Sequence, residues 1–483
     1  MKIKAQNNLR FLKVILPVFI LILLTGFYGI SSSAIADNTS KYPSSFKTPV
    51  LGKTPLPWTY RPDYHSEGGR IFYETLPNGM KILVQERPGC GIVSAEMIIK
   101  VGVMQEMDTY GGITGVIQAM MLRGGGKDKF IPLKGKAEAD GCFVTGGTSP
   151  DFAYIKLIST KDTFRINFKR MLEVIKHPGF KEGILEEEKR KIIQRIEGNK
   201  SAYGIINEIF LKQFYRYHPY RQPVAGFKNT VRRLNVEDLR MFYEKFYCSN
   251  RMVLSVCGDV KGQDIINLCE KLLSDMPRQN VSVVDIPWEP MRQEKKLHLQ
   301  ASSGMAWIFI GFPAPGVKSP DYPAAKILET LLGEGLSSRL FIELREKEGL
   351  AYQLQSKYPE LEGPSHMIVY VVTNPKSLYK CRKKIFKEIN KLKQWKIGEK
   401  ELSATKRKVL GKYLLARETT AGQTHYLAYY SALGLGRNFD ENLLRRMNRV
   451  TVDDVQEVAR KYLENYTILI IEPPSQNRVR YRR

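Results

Sequence analysis

The side chains with the clearest chemical potential are Arg345 and Tyr352. Arg345 lies near the end of a segment in which Leu340, Phe341 and Leu344 make one apolar helix face. Gly349 is placed to stop that helix. An alternating strand follows, predicted to carry Tyr352, Leu354, Ser356 and Tyr358 on one face. A guanidinium and a phenol set close across so tight a turn both donate hydrogen bonds to peptide carbonyls. A donor near an attacked carbonyl stabilises its oxyanion. Spacing alone favours a second reading, with Arg345 paired to Glu346 or Glu348 on the helix surface and Tyr352 in the core. Ahead of the pair, Gly333, Gly335 and Ser337 belong to a glycine-bearing loop, and Ser338 and Arg339 read as a cap and a solvent residue.

Other chemistries find less support. The six histidines are His65, His177, His218, His298, His366 and His425. The nearest two, His177 and His218, are 41 residues apart, so no helical His pair exists to hold a metal. Only a site assembled from distant side chains stays open. There is no Gly-x-Ser-x-Gly element, and Gly124-Gly125-Gly126-Lys127 lacks the phosphate-loop spacing. The six cysteines are scattered without a Cys-x-x-Cys pair and read mostly as buried small apolar residues.

The elements that must position Arg345 and Tyr352 come from an internal repeat. Val236-Glu237-Asp238-Leu239 reappears as Val452-Asp453-Asp454-Val455, and Lys189-Arg190-Lys191-Ile192-Ile193 as Lys406-Arg407-Lys408-Val409-Leu410. Each first pair opens an amphipathic helix that leads into an apolar strand, Met252 to Val256 and Ile468 to Ile471. A hairpin is predicted at Arg70 to Arg87 around Pro77-Asn78-Gly79. Further strands are predicted at Val93 to Val101 and Met305 to Phe312, and a helix at Lys376 to Trp395. The expected fold is α+β, with two homologous domains, 70–275 and 301–472, each a mainly antiparallel sheet with helices on one face. Residues 276–300, with Pro277, Pro287 and Pro290, read as a linker, and 473–483 as a basic tail.

The chain has 483 residues and a formal charge of +26. Lys2, Lys4, Arg10 and Lys13 precede an apolar run from Val14 to Tyr28, followed by Ala34-Ile35-Ala36. This layout predicts a secretory signal peptide over 1–36, with an uncleaved membrane anchor as the alternative, and a leader arm over 37–69. The chain is therefore expected to be exported, to the periplasm or the exterior. Its basic charge makes an anionic membrane surface a candidate partner, against a generally basic solvated surface. No nucleic-acid motif is present.

Thr75-Leu76-Pro77-Asn78-Gly79-Met80-Lys81-Ile82-Leu83-Val84, together with His218-Pro219-Tyr220, Gly226 and Gly258-Asp259, resembles the pitrilysin/insulinase zinc peptidases. In that family a His-x-x-Glu-His helix supplies two zinc ligands and a general base. The resemblance places Gly115 and Ala119 at the histidine positions and Gln118 at the glutamate position. It also places Arg195 at the third-ligand position. None of these can serve zinc, so no metal or cofactor is expected in this chain. The segment from Leu332 to Tyr352 resembles that of the non-catalytic subunit of two-chain members. This implies that Arg345 and Tyr352 contact substrate backbone and that the loop with Gly333, Gly335 and Ser337 helps capture it. The implied partner is a homologous His-x-x-Glu-His subunit holding the zinc, and the implied ligands are peptides. The rival expectation is an inert peptide-binding or structural scaffold of the same fold.

Overall fold

A computed structural model describes residues 69–474, apart from Met107, residues 199–200, residues 283–293, Ser302 and Arg437. The expected leader (1–36), nearly all of the arm (37–69) and tail (473–483), and the middle of the linker (276–300) lie outside the described residues.

The strands form two sheets. β1 (Ile71–Thr75), β2 (Lys81–Glu86), β3 (Ile92–Ile99), β4 (Phe143–Thr148), β5 (Ala153–Thr160) and β6 (Met252–Gly258) make the first, in the order β1-β2-β6-β3-β5-β4. β7 (Lys295–Gln300), β8 (Ala306–Ala314), β9 (Ala351–Lys357), β10 (Ser365–Thr373) and β11 (Thr467–Glu472) make the second, in the order β7-β11-β8-β10-β9. Without β1 the two orders are the same. Each sheet holds one parallel pair, β2 with β6 and β7 with β11, and is otherwise antiparallel. The β1–β2 hairpin turns where the sequence predicts, with Gly79 N–H donating to Leu76 O at 2.8 Å.

The helices repeat in the same way. The first domain carries α1 (Ile113–Arg123), α2 (Leu133–Ala139), α3 (Lys161–Lys176), α4 (Glu182–Gly198), α5 (Ala202–Phe214), α6 (Lys228–Arg233), α7 (Val236–Phe246) and α8 (Gly262–Leu273). The second carries α9 (Tyr322–Gly333), α10 (Arg339–Phe341, continued by a π turn at Ile342–Glu346) and α11 (Leu378–Gln394). It ends with α12 (Glu399–Leu415), α13 (Thr420–Ala432), α14 (Phe439–Arg449) and α15 (Val452–Tyr462). The repeated Val-Glu-Asp-Leu and Val-Asp-Asp-Val segments owe their likeness to the same capping box. Asp238 and Asn235 exchange hydrogen bonds at the start of α7, and Asp454 and Thr451 do so at the start of α15.

Each sheet alternates its side chains between two layers. Ile82, Val84, Met97, Ile99, Leu254 and Val256 pack with α1, α3 and α7 in the first core. Ile308, Ile310, Phe312, Val369 and Val371 pack with α9, α11 and α15 in the second. The opposite faces are covered by exchange, which periodicity does not reveal. From α5, Ile206, Phe210 and Phe214 pack on Phe309, Ile368, Leu469 and Ile471 of the second sheet. α13 packs on β3 and β6 of the first. There Thr424 Oγ1 donates to Ser94 O at 3.3 Å, and His425 Nδ1 lies 2.9 Å from Glu96 Oε1. Lys156 Nζ holds the other oxygen of this fully buried carboxylate at 2.7 Å.

Five of the six cysteines are buried; Cys90 is exposed, and none is bridged.

Candidate functional site

The last turn of the π segment and the first residues of β9 bring Arg345 and Tyr352 together. Gly349 adopts φ +59°, where a side chain is strained, and lets the chain reverse. Leu350 N–H then donates to Leu344 O at 2.7 Å, closing the turn over the helix end. Arg345 Nη1 donates to the backbone carbonyls of Ala351, at 3.4 Å, and of Tyr352. The surface pairing of Arg345 with Glu348 does not form, because Glu348 is held by Lys380 at 2.7 Å and Lys384 at 2.5 Å.

The strand geometry corrects the expected face of Tyr352. Gln353 lies opposite Val372, but Thr373 lies opposite Ala351, so Tyr352 is the extra residue of a β-bulge. The bulge turns Ala351 into the core with Ser356 and Tyr358 and leaves Tyr352 55% exposed. The alternative reading of Tyr352 as a core residue fails with it. Thr373 Oγ1 pins the bend by donating to Leu350 O at 2.7 Å. Among the described residues the Tyr352 hydroxyl has no hydrogen-bond partner. β9 is the edge strand of its sheet, so one side of its backbone is unpaired within the described residues. An extended peptide can add there, with the phenol and guanidinium as further donors.

The glycine-bearing loop lies further along the same strand. Gly333 ends α9 so close to β9 that a Cβ there would stand 3.0 Å from Ser356 Cβ. Ser356 Oγ donates to Glu329 O at 2.9 Å. From Gly333 the loop rises to an exposed tip at Gly335, Leu336 and Ser337, with Leu336 71% exposed. Two lysines of α12 clasp its base. Lys408 Nζ donates to Glu334 O and, at 3.4 Å, to Ser337 Oγ, while Lys412 pairs with the Glu334 carboxylate. Burial opposes ionisation of Glu334, but Lys412 and Lys326 outweigh it and lower its pKa. Ser338 stands at the start of α10 but makes no side-chain capping bond, donating instead to Gly335 O at 2.7 Å. Arg339, expected in solvent, forms a two-pronged bridge to Glu401 with both bonds at 2.7 Å. Lys408 stood in the sequence only as part of a repeated basic run; nothing there tied it to a loop 71 residues away.

The degenerate motif lies on α1, beside β4, the edge strand of the first sheet. Gly115 and Ala119 are half-buried on one face of α1, and Gln118 is 2% exposed. A side chain at Gly115 would meet only Thr148 Oγ1, at 3.9 Å. Gln118 Nε2 donates to Tyr247 Oη at 2.9 Å, and Gln118 Oε1 is left without a partner. Tyr247 is fully buried, which raises its pKa far above the usual phenol value and keeps it neutral. Glu106 anchors the helix start by accepting from Gly112 N–H at 2.7 Å and Thr114 N–H at 3.0 Å, and burial raises its pKa. Glu106 was marked by no sequence signal, and Tyr247 only as half of the aromatic pair Phe246-Tyr247 that ends a repeated helix.

On α4, Leu185, Glu188, Lys189 and Ile192 face inward, and Ile196 packs partly against the same core. Arg195 is exposed. The one buried carboxylate of α4, Glu188, is engaged by Arg123 at 3.2 Å and Lys191 at 2.7 Å. These residues do not fit zinc: Gly and Ala offer no donor atom, and a neutral amide bonded to a tyrosine is no base. Among the described residues no group of three or more His, Cys, Asp and Glu converges to hold a metal.

Known proteins bear on this geometry. Residues 81–228 match the family described as "Insulinase (Peptidase family M16)", and residues 233–409 match "Peptidase M16 inactive domain". The chain is 24% identical over 404 residues to "Uncharacterized zinc protease YmxG" of Bacillus subtilis, covering 83% of this chain and 97% of that one. It is 24% identical over 445 residues to "Zinc protease PqqE" of Helicobacter pylori, covering 87% and 95%. It is also 23% identical over 302 residues to "Non-peptidase homolog YmxG" of the same bacterium, covering 61% and 68%. The fold is shared with the crystal structure of a peptidase M16 inactive domain from Pseudomonas fluorescens. That match has a TM-score of 0.76 at 21% identity and covers 84% of this chain and 98% of the other. With two matched segments that span most of both domains, and no residue of the zinc motif intact, the chain belongs to the insulinase family of peptidases as an inactive member.

Proposed function

We propose that this chain is the non-catalytic, substrate-binding subunit of an exported heterodimeric zinc endopeptidase. One observation carries the reading. The α1 face has lost every zinc donor, while Arg345 and Tyr352 are held together on an open strand edge. An inert scaffold has no use for a solvent-exposed tyrosine turned out by a bulge and braced by a buried turn. A homologous chain with an intact His-x-x-Glu-His helix would supply zinc and base, and this chain would align the peptide. The presence of both a zinc protease and a non-peptidase homologue in one strain of Helicobacter pylori supports a division between two chains. The basic segment and apolar run ahead of Ala36 support export, to the periplasm or the exterior, or anchoring if they are retained.

The test is co-expression with the zinc-bearing homologue from the same genome, followed by size-exclusion with mass measurement and peptide cleavage. The expected result is a one-to-one complex, active and chelator-sensitive, with neither chain active alone. A monomeric chain beside a fully active, uncomplexed homologue would overturn the proposal in favour of a scaffold.

A further inference from the structure

Among the described residues, the outward face of α11 sets exposed aromatic rings among unpaired cations. Cys381, Ile385, Ile389 and Leu392 bury one side of this helix in the second core. On the other side Tyr379 is 76% exposed and Trp395, just past the last turn, 62% exposed. Phe386 stands half-buried between them against Tyr466, with ring centroids 4.8 Å apart. Sixteen residues of helix place the two end aromatics about 24 Å apart. Arg382, Lys383 and Lys387 fill the interval, and the row borders an open groove of about 550 Å³ with no carboxylate in its lining.

The lysines at its margins are neutralised: Lys380 and Lys384 by Glu348, Lys391 by Glu388, Lys393 by Glu464 and Lys396 by Asp453. Lys383 and Lys387 have no ion-pair partner among the described residues. The repeat supplies an internal control. α3 starts at Lys161 and α11 at Leu378, an offset of 217. At that offset Tyr379, Phe386, Asn390 and Trp395 fall on Asp162, Lys169, Glu173 and Pro178. The fold therefore does not demand this composition; the same helix in the first domain does without it.

Aromatic rings with polar tips favour the boundary between headgroups and acyl chains, and interspersed cations favour anionic headgroups. The face is a straight open row rather than an enclosing cleft, which suits a flat surface better than a peptide. An apolar run with basic residues ahead of it, Val14 to Tyr28, would bring the same chain to a membrane. We propose that the outward face of α11 is a docking surface for an anionic lipid bilayer. Tyr379, Phe386 and Trp395 reach the headgroup boundary, and Arg382, Lys383 and Lys387 meet the phosphates. This reading does not depend on the peptidase proposal.

The test uses the full chain with vesicles of phosphatidylcholine alone or with 30% phosphatidylglycerol, a composition chosen for the assay. The measured quantity is the increment in binding due to the anionic lipid, to which Lys2, Lys4, Arg10 and Lys13 contribute equally in every variant compared. Lys383→Glu with Lys387→Glu should lower that increment at least about 25-fold, on the order of five-fold for each cation. The matched reversal on α3, Arg165→Glu with Lys169→Glu, should change it by less than about two-fold, since those charges lie off the contact and are screened. The chain has four tryptophans, and Trp395→Phe should remove the lipid-dependent blue shift of the emission. No preference for phosphatidylglycerol, an equal loss from the α3 control, or an unchanged shift without Trp395 would each overturn the proposal. Polyglutamate captured through the same two lysines by a chain indifferent to vesicles would overturn it too, and would assign the face to an acidic polypeptide.

Discussion

At the residue scale, Arg345 and Tyr352 hold different positions in the same device. Tyr352 projects from the bulge with its hydroxyl unengaged, whereas Arg345 spends part of its donor capacity on the bulge itself. In the reconstituted heterodimer, Tyr352→Phe should leave assembly intact and lower turnover by roughly 10²–10³-fold, the cost of one oxyanion donor. Arg345→Ala should raise KM as well as lower kcat, because it loosens the bulge and removes a charged donor along the peptide. Measured kcat and KM for both complexes, with zinc checked on the partner, decide the matter. Values near wild type for Tyr352→Phe would leave the phenol no part in catalysis. The sequence marked both residues and their closeness through Gly349, but not the bulge. A one-residue slip in pairing depends on what β10 offers opposite, and alternation within one strand carries no trace of that.

At the element scale, α1 was legible as a helix and its lost ligands as lost chemistry, because donor atoms are a property of residue type. Its surroundings were not legible. Tyr247 reaches Gln118 from 129 residues away, and α4 turns aliphatic residues and one engaged carboxylate toward α1. Rebuilding the motif by Gly115→His, Gln118→Glu and Ala119→His should therefore fail to make a metal centre. Position 115 has room for a histidine, but the one carboxylate that α4 turns toward α1, Glu188, is already engaged by Arg123 and Lys191, and a carboxylate at 118 is driven into a buried site. The variant should bind no stoichiometric zinc by elemental analysis and should lose about 1–3 kcal/mol of stability in urea unfolding. One tightly held zinc per chain would show that the first domain still carries a usable shell.

At the scale of the whole molecule, the two domains meet along a buried polar seam. Tyr220 Oη donates to Asp151, whose other oxygen accepts from Glu362 N–H at 2.9 Å, while Tyr215 Oη lies 2.8 Å from His366 Nδ1. Burial pushes the Asp151 carboxyl up to about 6, and pushes the imidazoles of His218 and His366 down to about 4 and about 3. The signs oppose. The histidines contribute stability that is present above their unfolded pKa near 6.5 and is lost as pH falls toward 4 and below. Asp151 contributes stability that is present below about 4 and is lost as pH rises through 6. Between pH 4 and 6 two protons favour the unfolded chain and one favours the folded chain, so acidification destabilises the seam by about one proton's worth. Asp151→Asn should remove the opposing term and steepen the acid loss by about one further proton, on the order of 1 kcal/mol per pH unit. Urea unfolding of both proteins at pH 4, 5 and 6 measures the difference, and parallel curves would sink the assignment. The duplication that creates this seam was readable from repeated segments, whereas the polar bonds that cross it join residues more than 140 positions apart and left no local mark.

The reciprocal placement of α5 and α13 has a consequence for ancestry and folding. Each half lends a helix to the other's sheet, so neither half, cut free, would have a partner for the apolar surface that helix covers. Two identical half-length chains would meet the same need by trading one helix each, the pattern of a domain-swapped dimer. The present chain is the covalent form of that arrangement. Because α13 follows β6 by most of the second domain, the first sheet must wait for that domain before its second face is closed.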